Sequence, residues 1–131
     1  MLAAPLMIGC DIRNLDAETK RILSNPEVIA VDQDKLGKQG NSVARTGSTN
    51  VWQKPLADGG IAVALLNRDD KPVNIDAQWK DLKLQAGLSL AARNLWAYKN
   101  LGTFDDHLTL TFEPHATVLI KLLPPAQQGK N

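Results

Sequence analysis

From residue 41 onward, apolar and polar positions alternate in short runs, as in β-strands with one buried face. In VNIDAQW, the residues Val73, Ile75, Ala77 and Trp79 fall on one face, and HLTLTF alternates in the same way. IAVALL is apolar on both faces, which predicts a strand at the centre of a sheet. The pattern therefore predicts about seven or eight antiparallel strands over residues 41–123, arranged as a Greek-key β-sandwich.

Clusters of turn-forming residues separate these runs and define their ends. The predicted turns are Asp58-Gly59-Gly60, Arg68 to Pro72, Asn100-Leu101-Gly102 and Glu113-Pro114. The in-phase apolar positions between them should form the core. They are Ile61, Val63, Leu65, Val73, Ile75, Leu110, Phe112, Val118 and Ile120.

Residues 1–36 have a different pattern, which predicts one strand followed by two short helices. The run Pro5 to Ile8 is apolar without alternation, as in strands of a parallel sheet that are covered on both faces. Asp16 can cap the helix AETKRIL, and Asn25-Pro26 is a typical start for the helix EVIAV. The chain is thus predicted to be mainly β, with a βα unit in residues 1–36 and an antiparallel β domain in residues 37–131.

The opening apolar run has an alternative interpretation as the end of a lipoprotein export signal, with Cys10 as the acylated residue. A signal needs a basic start and an uninterrupted apolar stretch, whereas here the first basic residue is Arg13 and Pro5 interrupts the run. We favour the strand and expect no signal peptide. No segment approaches the roughly 20 apolar residues of a membrane-spanning helix.

Composition narrows the classes of partner and cofactor. The 131 residues include 15 Lys and Arg and 14 Asp and Glu, a net charge of +1, so bulk charge predicts no binding to nucleic acid or anionic membranes. One Cys and two His are too few for a structural zinc site. DQDKLGK resembles a calcium loop, but Val43 occupies the position of the bidentate Glu. We therefore predict no metal site, and the cellular compartment is not determined by the composition.

Four segments in order resemble glycoside hydrolase family 27, the α-galactosidases and their relatives. The most specific is LAAPLMIGCDIRNLDAETKRILSNPEVIAVDQDKLGKQG, which is similar to the last βα unit of the family's catalytic barrel. VWQKPLADGGIAVALLNR, NLWAYKNLGTF and FEPHATVLIKL then resemble its C-terminal β domain. The resemblance covers nearly the whole chain, although family members commonly carry Asn at the position of Cys10.

The resemblance implies that the opening run is the eighth strand of a (β/α)8 barrel whose other strands are not in this chain. It also implies a parent activity, the hydrolysis of terminal α-linked galactose with retention and without a cofactor. Both catalytic aspartates of the family lie on earlier barrel strands, so no catalytic residue is predicted here and the chain alone should be inactive. The missing barrel is the predicted partner.

Without that barrel, the opening strand has no neighbours to pair with its backbone. We therefore expect residues 2–9 to be disordered, rearranged or paired with a second copy of the chain.

Four residues are weak candidates for sugar contacts. Asp11 and Arg13 follow the predicted barrel strand at its carboxyl end, where barrel enzymes have their sites. The simpler interpretation is that Asp11 bonds local backbone and Arg13 pairs with a neighbouring helix. Trp52 and Trp96 could present aromatic faces on the barrel side of the sandwich, whereas the phase of Trp79 places it in the core. These tryptophans leave open a stand-alone carbohydrate-binding module with a galactoside ligand, and an inert remnant of a truncated gene is a third possibility.

Overall fold

The computed structural model describes residues 1–124, and within them the fold is mainly β. A short 3-10 helix, Ile12–Asn14, precedes two α-helices, α1 (Ala17–Leu23) and α2 (Pro26–Asp32). The strands are β1 (Asn41–Thr46), β2 (Thr49–Pro55), β3 (Ile61–Asn67), β4 (Val73–Gln78), β5 (Ser89–Asn94), β6 (Lys99–Asp105), β7 (His107–Phe112) and β8 (Thr117–Leu123).

The eight strands form two antiparallel sheets, which confirms the predicted sandwich. The larger sheet has the order β1-β2-β3-β8-β5-β6, and the smaller one pairs β4 with β7. β3, the IAVALL strand, lies between β2 and β8, and its residues Ala62 to Leu65 are all buried. A strand with neighbours on both sides and layers on both faces accounts for its continuous apolar sequence.

The space between the two sheets contains the main hydrophobic core. Five of the predicted core residues are buried, namely Val63, Leu65, Ile75, Phe112 and Ile120. The other four, Ile61, Val73, Leu110 and Val118, are partly buried and pack against the margin of this core. Trp79 is also fully buried there, as its phase predicted.

A second apolar cluster lies on the opposite face of the larger sheet, and we call it the helix-side cluster. It consists of Val31, Leu56, Ala62, Ala64, Leu95 and Leu119. Trp52, Trp96, Val28 and Met1 pack against it and are partly buried. Since Val31 and Val28 belong to α2, this helix covers the outer face of the sandwich.

Both predicted helices are present, and each begins at its predicted cap. The Asp16 side chain accepts a hydrogen bond from the backbone N–H of Thr19, and Asn25 accepts from those of Glu27 and Val28. These side chains satisfy backbone donors that would otherwise have no partner at a helix start.

Residues 1–9 form neither helix nor strand, and no strand in the described part of the chain pairs with them. The run Pro5 to Ile8 therefore does not keep a strand conformation without the barrel, in line with the expectation for residues 2–9. One local prediction was wrong: Asn100-Leu101-Gly102 lies within β6 rather than in a turn. Ala92 pairs with Gly102 and Arg93 with Asn100, so Leu101 is the extra residue of a β-bulge. Gly102 has φ +112°, and glycine marks bulges as well as turns.

Among residues 1–124, no helix combines the length and the apolar character that crossing a membrane requires.

Candidate functional site

The start of α2 is attached to the β domain through Asn25, which is 1% exposed. Its Oδ1 accepts from the backbone N–H of Glu27 at 3.0 Å and from that of Val28 at 3.1 Å. Its Nδ2 donates to the carbonyl oxygen of Leu95, just after β5, at 3.0 Å. One amide side chain therefore caps the helix and also joins it to the sandwich.

The first turn of α2 is joined to β5 by an ion pair between Glu27 and Arg93. Arg93 Nη2 lies 2.6 Å from Glu27 Oε1, and Arg93 Nε lies 2.9 Å from Glu27 Oε2. The two side chains are 28% and 35% exposed, so solvent screens this bidentate pair less than a pair on the open surface. The hydrogen bonds from the Arg93 guanidinium lower the pKa of Glu27 below its ordinary value.

The end of α2 receives the ammonium group of Lys54, a β2 residue with 0% exposure. Lys54 Nζ donates to the carbonyl oxygens of Val31 at 2.5 Å and Asp32 at 3.2 Å. These carbonyls belong to the last turn, where the helix dipole is negative and carbonyl groups have no partner within the helix. The carbonyl oxygens at the end of α2 thus supply acceptors for the buried ammonium group. In return, the ammonium group supplies the donor that these carbonyls lack within the helix.

The loop after α2 is attached at Asp34. Both of its carboxylate oxygens lie 3.0 Å from the backbone nitrogen of Ala57, in the turn between β2 and β3. Oδ1 also accepts from the backbone N–H of Leu36. Both ends of α2 and the loop that follows are therefore bound to the β domain.

Residues 2–23 contrast with α2 because most of their large apolar side chains are exposed. The exposed set comprises Leu2, Leu6, Met7, Ile8, Ile12, Ile22 and Leu23. Within the described residues, a single side-chain hydrogen bond joins α1 to the β domain. Arg21 Nη1 donates it to the carbonyl oxygen of Trp96, at 3.3 Å. Such exposure of large apolar side chains along one stretch is typical of a surface that a partner covers.

The structure brings Asp11 and Arg13 together in an exposed ion pair. Arg13 Nε and Nη2 donate to the Asp11 carboxylate at 2.9 and 2.8 Å, and the Arg13 backbone N–H donates to it at 3.0 Å. Asp11 thus bonds local backbone as expected, but Arg13 pairs with Asp11 and not with a neighbouring helix. The hydrogen bonds from Arg13 lower the pKa of Asp11.

Trp52 and Trp96 lie on the helix side of the sandwich, where both pack against the helix-side cluster. The face of Trp52 or Trp96 that packs there is not free to stack on a sugar, and their role in sugar binding stays a prediction. Trp79 lies between the sheets, and its Nε1 donates to the carbonyl of Leu88 at 2.7 Å.

The residues that attach α2 were not among the sequence-based candidates. The burial of Lys54 could have been predicted from one feature of the sequence. Lys54 lies in phase with Trp52 and Leu56 on a strand, so the pattern places it on an apolar face. A lysine at such a position needs a buried acceptor. No comparable feature of the sequence indicated that Arg93 pairs with α2. Within residues 1–124, no group of three or more His, Cys, Asp and Glu side chains is placed to hold a metal ion.

Acid is expected to weaken the attachment of α2 through Glu27. Its ordinary pKa is 4.5, and the folded-state value is lower, so the pair stabilises the fold above about pH 4.5 and the contribution is lost as pH falls through the folded pKa. The difference in free energy of unfolding between the wild type and Glu27→Gln should be largest near neutral pH and should shrink in acid.

Urea unfolding between about pH 7 and about pH 3 measures this difference. Glu113→Gln, at an exposed glutamate after β7, is the control and should show little pH-dependent difference. A Glu27→Gln difference that stays constant over the whole range would contradict the role of the ion pair.

Comparison with known proteins relates this architecture to a family. Residues 46–122 match the family model described as the alpha galactosidase C-terminal beta sandwich domain. The α-galactosidase of Cyamopsis tetragonoloba is 41% identical over 121 residues, which are 92% of this chain and 29% of the relative. That of Coffea arabica is 43% identical over 121 residues, 92% of this chain and 32% of the relative.

Solved structures agree with the sequence relatives. α-Galactosidase I from Mortierella vinacea superimposes with a TM-score of 0.89 at 32% identity, over 97% of this chain and 34% of that structure. A GH27 β-L-arabinopyranosidase from Geobacillus stearothermophilus has a TM-score of 0.87 at 32% identity, over 98% of this chain and 28% of that structure. The chain thus spans about a third of the length of the proteins it matches. It belongs to the α-galactosidase C-terminal β-sandwich domain family and corresponds to the C-terminal part of GH27 α-galactosidase-like enzymes.

Proposed function

We propose that this chain is the non-catalytic C-terminal segment of a retaining glycoside hydrolase that removes terminal α-linked galactose. In this proposal residues 1–36 supply the last strand and helices of a (β/α)8 barrel, and residues 37–131 brace that barrel. The observation that carries the proposal is the exposure of seven large apolar side chains between Leu2 and Leu23, beside a β domain whose own core is closed.

The greater length of the relatives supports the presence of a partner for this surface. The matched region is 29% of the Cyamopsis enzyme, which leaves about 70% of its length for other parts of the protein. A (β/α)8 barrel of about 250 residues is the kind of domain that a lone βα unit completes. A missing catalytic domain therefore accounts for both the exposed apolar surface and the unpaired opening run.

The carboxylates of the chain support the assignment of catalysis to the partner. Retaining glycosidases need two carboxyl groups about 5–5.5 Å apart, facing one sugar. In the adjacent aspartate pairs of this chain, each carboxylate instead bonds a different partner. Asp69 accepts from the Ser48 hydroxyl, while Asp70 pairs with His115.

Asp105 and Asp106 behave in the same way. Asp105 accepts a hydrogen bond from the hydroxyl of Ser89, and Asp106 accepts one from the backbone N–H of Gly87. Each carboxylate thus holds a turn or a strand end. Neither pair is arranged as a nucleophile with a facing acid.

The experiment that tests the proposal is complex formation with the missing part. The portion of the Cyamopsis enzyme that precedes the matched region should form a stable one-to-one complex with this chain, as measured by size-exclusion chromatography with light scattering. Ile8→Glu should weaken the complex, because it places a charge in the apolar run. Thr111→Glu, on the exposed face of β7 opposite the uncharged Asn74, is the matched control and should leave the complex unchanged.

Without the barrel portion, the same apolar run should drive self-association as the chain concentration rises. Ile8→Glu should reduce this self-association, and Thr111→Glu should not. If the barrel portion fails to bind, or if both variants bind it equally well, the proposed partner is wrong.

A further inference from the structure

We infer that the two helices of residues 1–36 differ in what holds them: α2 is a preformed part of the β domain, whereas residues 2–23, which include α1, gain stable tertiary contacts only when the barrel is present. The second part rests on the proposed function. The first part follows from the contacts of α2 alone, and it means that α2 folds together with the sandwich.

The attachment of α2 extends along its whole length. Asn25 bonds Leu95 before the first turn, Glu27 pairs with Arg93 in that turn, and Lys54 donates to the carbonyls of the last turn. Val31, 3% exposed, packs into the helix-side cluster between these points. The partners come from β2, from β5 and from the segment after β5, so α2 is fixed at both ends to different parts of the larger sheet.

The sequence of α2 alone does not account for its stability. It has seven residues, and isolated helices shorter than about 12–15 residues are marginal in water. The contacts with the sandwich must therefore supply what helix propensity does not. Two of them satisfy polar groups inside the protein, since both Asn25 and Lys54 are buried. Separating α2 from the sheet would leave the Lys54 ammonium group without its acceptors.

α1 is a natural internal comparison. It also has seven residues and a good N-cap at Asp16, but none of its residues is buried. Its ion pair, Glu18 with Arg21, lies within the helix and is exposed. Its bond to the β domain, from Arg21 to the Trp96 carbonyl, is long at 3.3 Å. The two helices are thus similar in length and in N-capping. They differ in their attachment to the sheet.

Amide hydrogen exchange, measured by NMR on the 131-residue chain alone, tests the inference. In α2, the amides of Ile29 and Gln33 donate to the carbonyls of Asn25 and Ile29 at 3.0 and 2.9 Å. In α1, the amides of Lys20 and Ser24 donate to those of Asp16 and Lys20, both at 3.0 Å. Because the bond geometries match, a difference in protection reports attachment to the sheet.

We expect Ile29 and Gln33 to exchange at least about tenfold more slowly than Lys20 and Ser24, after correction for intrinsic rates. Lys54→Met should lower the protection of Ile29 and Gln33 by about tenfold, because the last carbonyls of α2 lose a charged donor. The control is Lys80→Met, at an exposed lysine after β4, and it should leave both helices unchanged.

A second pair of variants covers the case in which Lys54→Met does not fold. Glu27→Gln, which weakens the pair with β5, should lower α2 protection by about threefold. Glu18→Gln, which weakens the pair inside α1, should leave α2 unchanged. Equal exchange of the two helices in the wild type would overturn the inference, as would α2 protection that neither Lys54→Met nor Glu27→Gln lowers.

Addition of the barrel portion then tests the second part. Lys20 and Ser24 should gain protection in the complex, while Ile29 and Gln33, already protected, should change less. Failure of the barrel portion to bind would contradict the proposed function and leave the result for α2 standing. Binding that leaves Lys20 and Ser24 unprotected would overturn the second part of the inference.

Discussion

The purified 131-residue chain is expected to give no hydrolysis of a chromogenic α-galactoside above the uncatalysed rate. Enzymes of this kind accelerate slow reactions by factors of about 10⁶ to 10¹⁷, and a glycosidase needs a positioned nucleophile and an acid with a suitable pKa. Asp11, the carboxylate nearest to the predicted end of the barrel strand, is held by Arg13 in an exposed pair. Its pKa is lowered, which is the opposite of what a general acid needs.

Activity should appear when the barrel is restored by fusion or by a complementing fragment. A fusion whose barrel lacks its nucleophilic aspartate is the control, and it should be as inactive as the chain alone. The release of the chromophore over hours at high protein concentration is the measurement. Turnover by the chain alone that disappears in Asp11→Asn would show that the chain contains a working site.

Replacement of Trp79 by alanine is expected to destabilise the chain strongly. Trp79 is 1% exposed and fills the space between the two sheets, and truncation of such a side chain costs about 3–5 kcal/mol. Domains of this size are stable by about 5–15 kcal/mol in total, so the loss is a large fraction of the available stability. Trp79→Phe should cost less, about 1–3 kcal/mol, because it mainly leaves the Leu88 carbonyl without its donor.

Urea unfolding followed by circular dichroism measures these changes. Met7→Ala is the control, because Met7 is 90% exposed, and the free energy of unfolding should change by less than about 0.5 kcal/mol. If Trp79→Ala and wild type unfold at the same urea concentration, Trp79 does not hold the two sheets together.

Much of the sandwich could be predicted because its strands are half buried. β4 and β7 each have one face on the core and one in solvent, so the burial of Ile75 and Phe112 follows directly from alternation. The helix starts were predictable for another local reason, since Asp16 and Asn25-Pro26 cap through side chains only a few residues away. The conformation of Pro5 to Ile8 could not be predicted in the same way. A strand needs a neighbouring strand to pair with, and the sequence pattern does not show whether one is present.

The candidate site was less predictable because its contacts join residues that are distant in the chain. Glu27 and Arg93 are 66 residues apart, and Lys54 reaches a carbonyl 23 residues away. No period or motif connects such positions. Asp11 and Arg13 were proposed from their place after a barrel strand, and that environment is not present in this chain.

The position of β8 has a consequence for the order of folding during synthesis. Among residues 1–124, β8 follows the other seven strands in sequence but lies between β3 and β5, where it joins the sub-sheet β1-β2-β3 to the hairpin β5-β6. On the ribosome, these two parts cannot unite until Thr117 to Leu123 have emerged, and pairings between distant segments are slow to form. Until then β3, the most apolar strand, has an unpaired edge that is prone to aggregation. The synthesis of β8 therefore determines when the sandwich is first protected from misassembly.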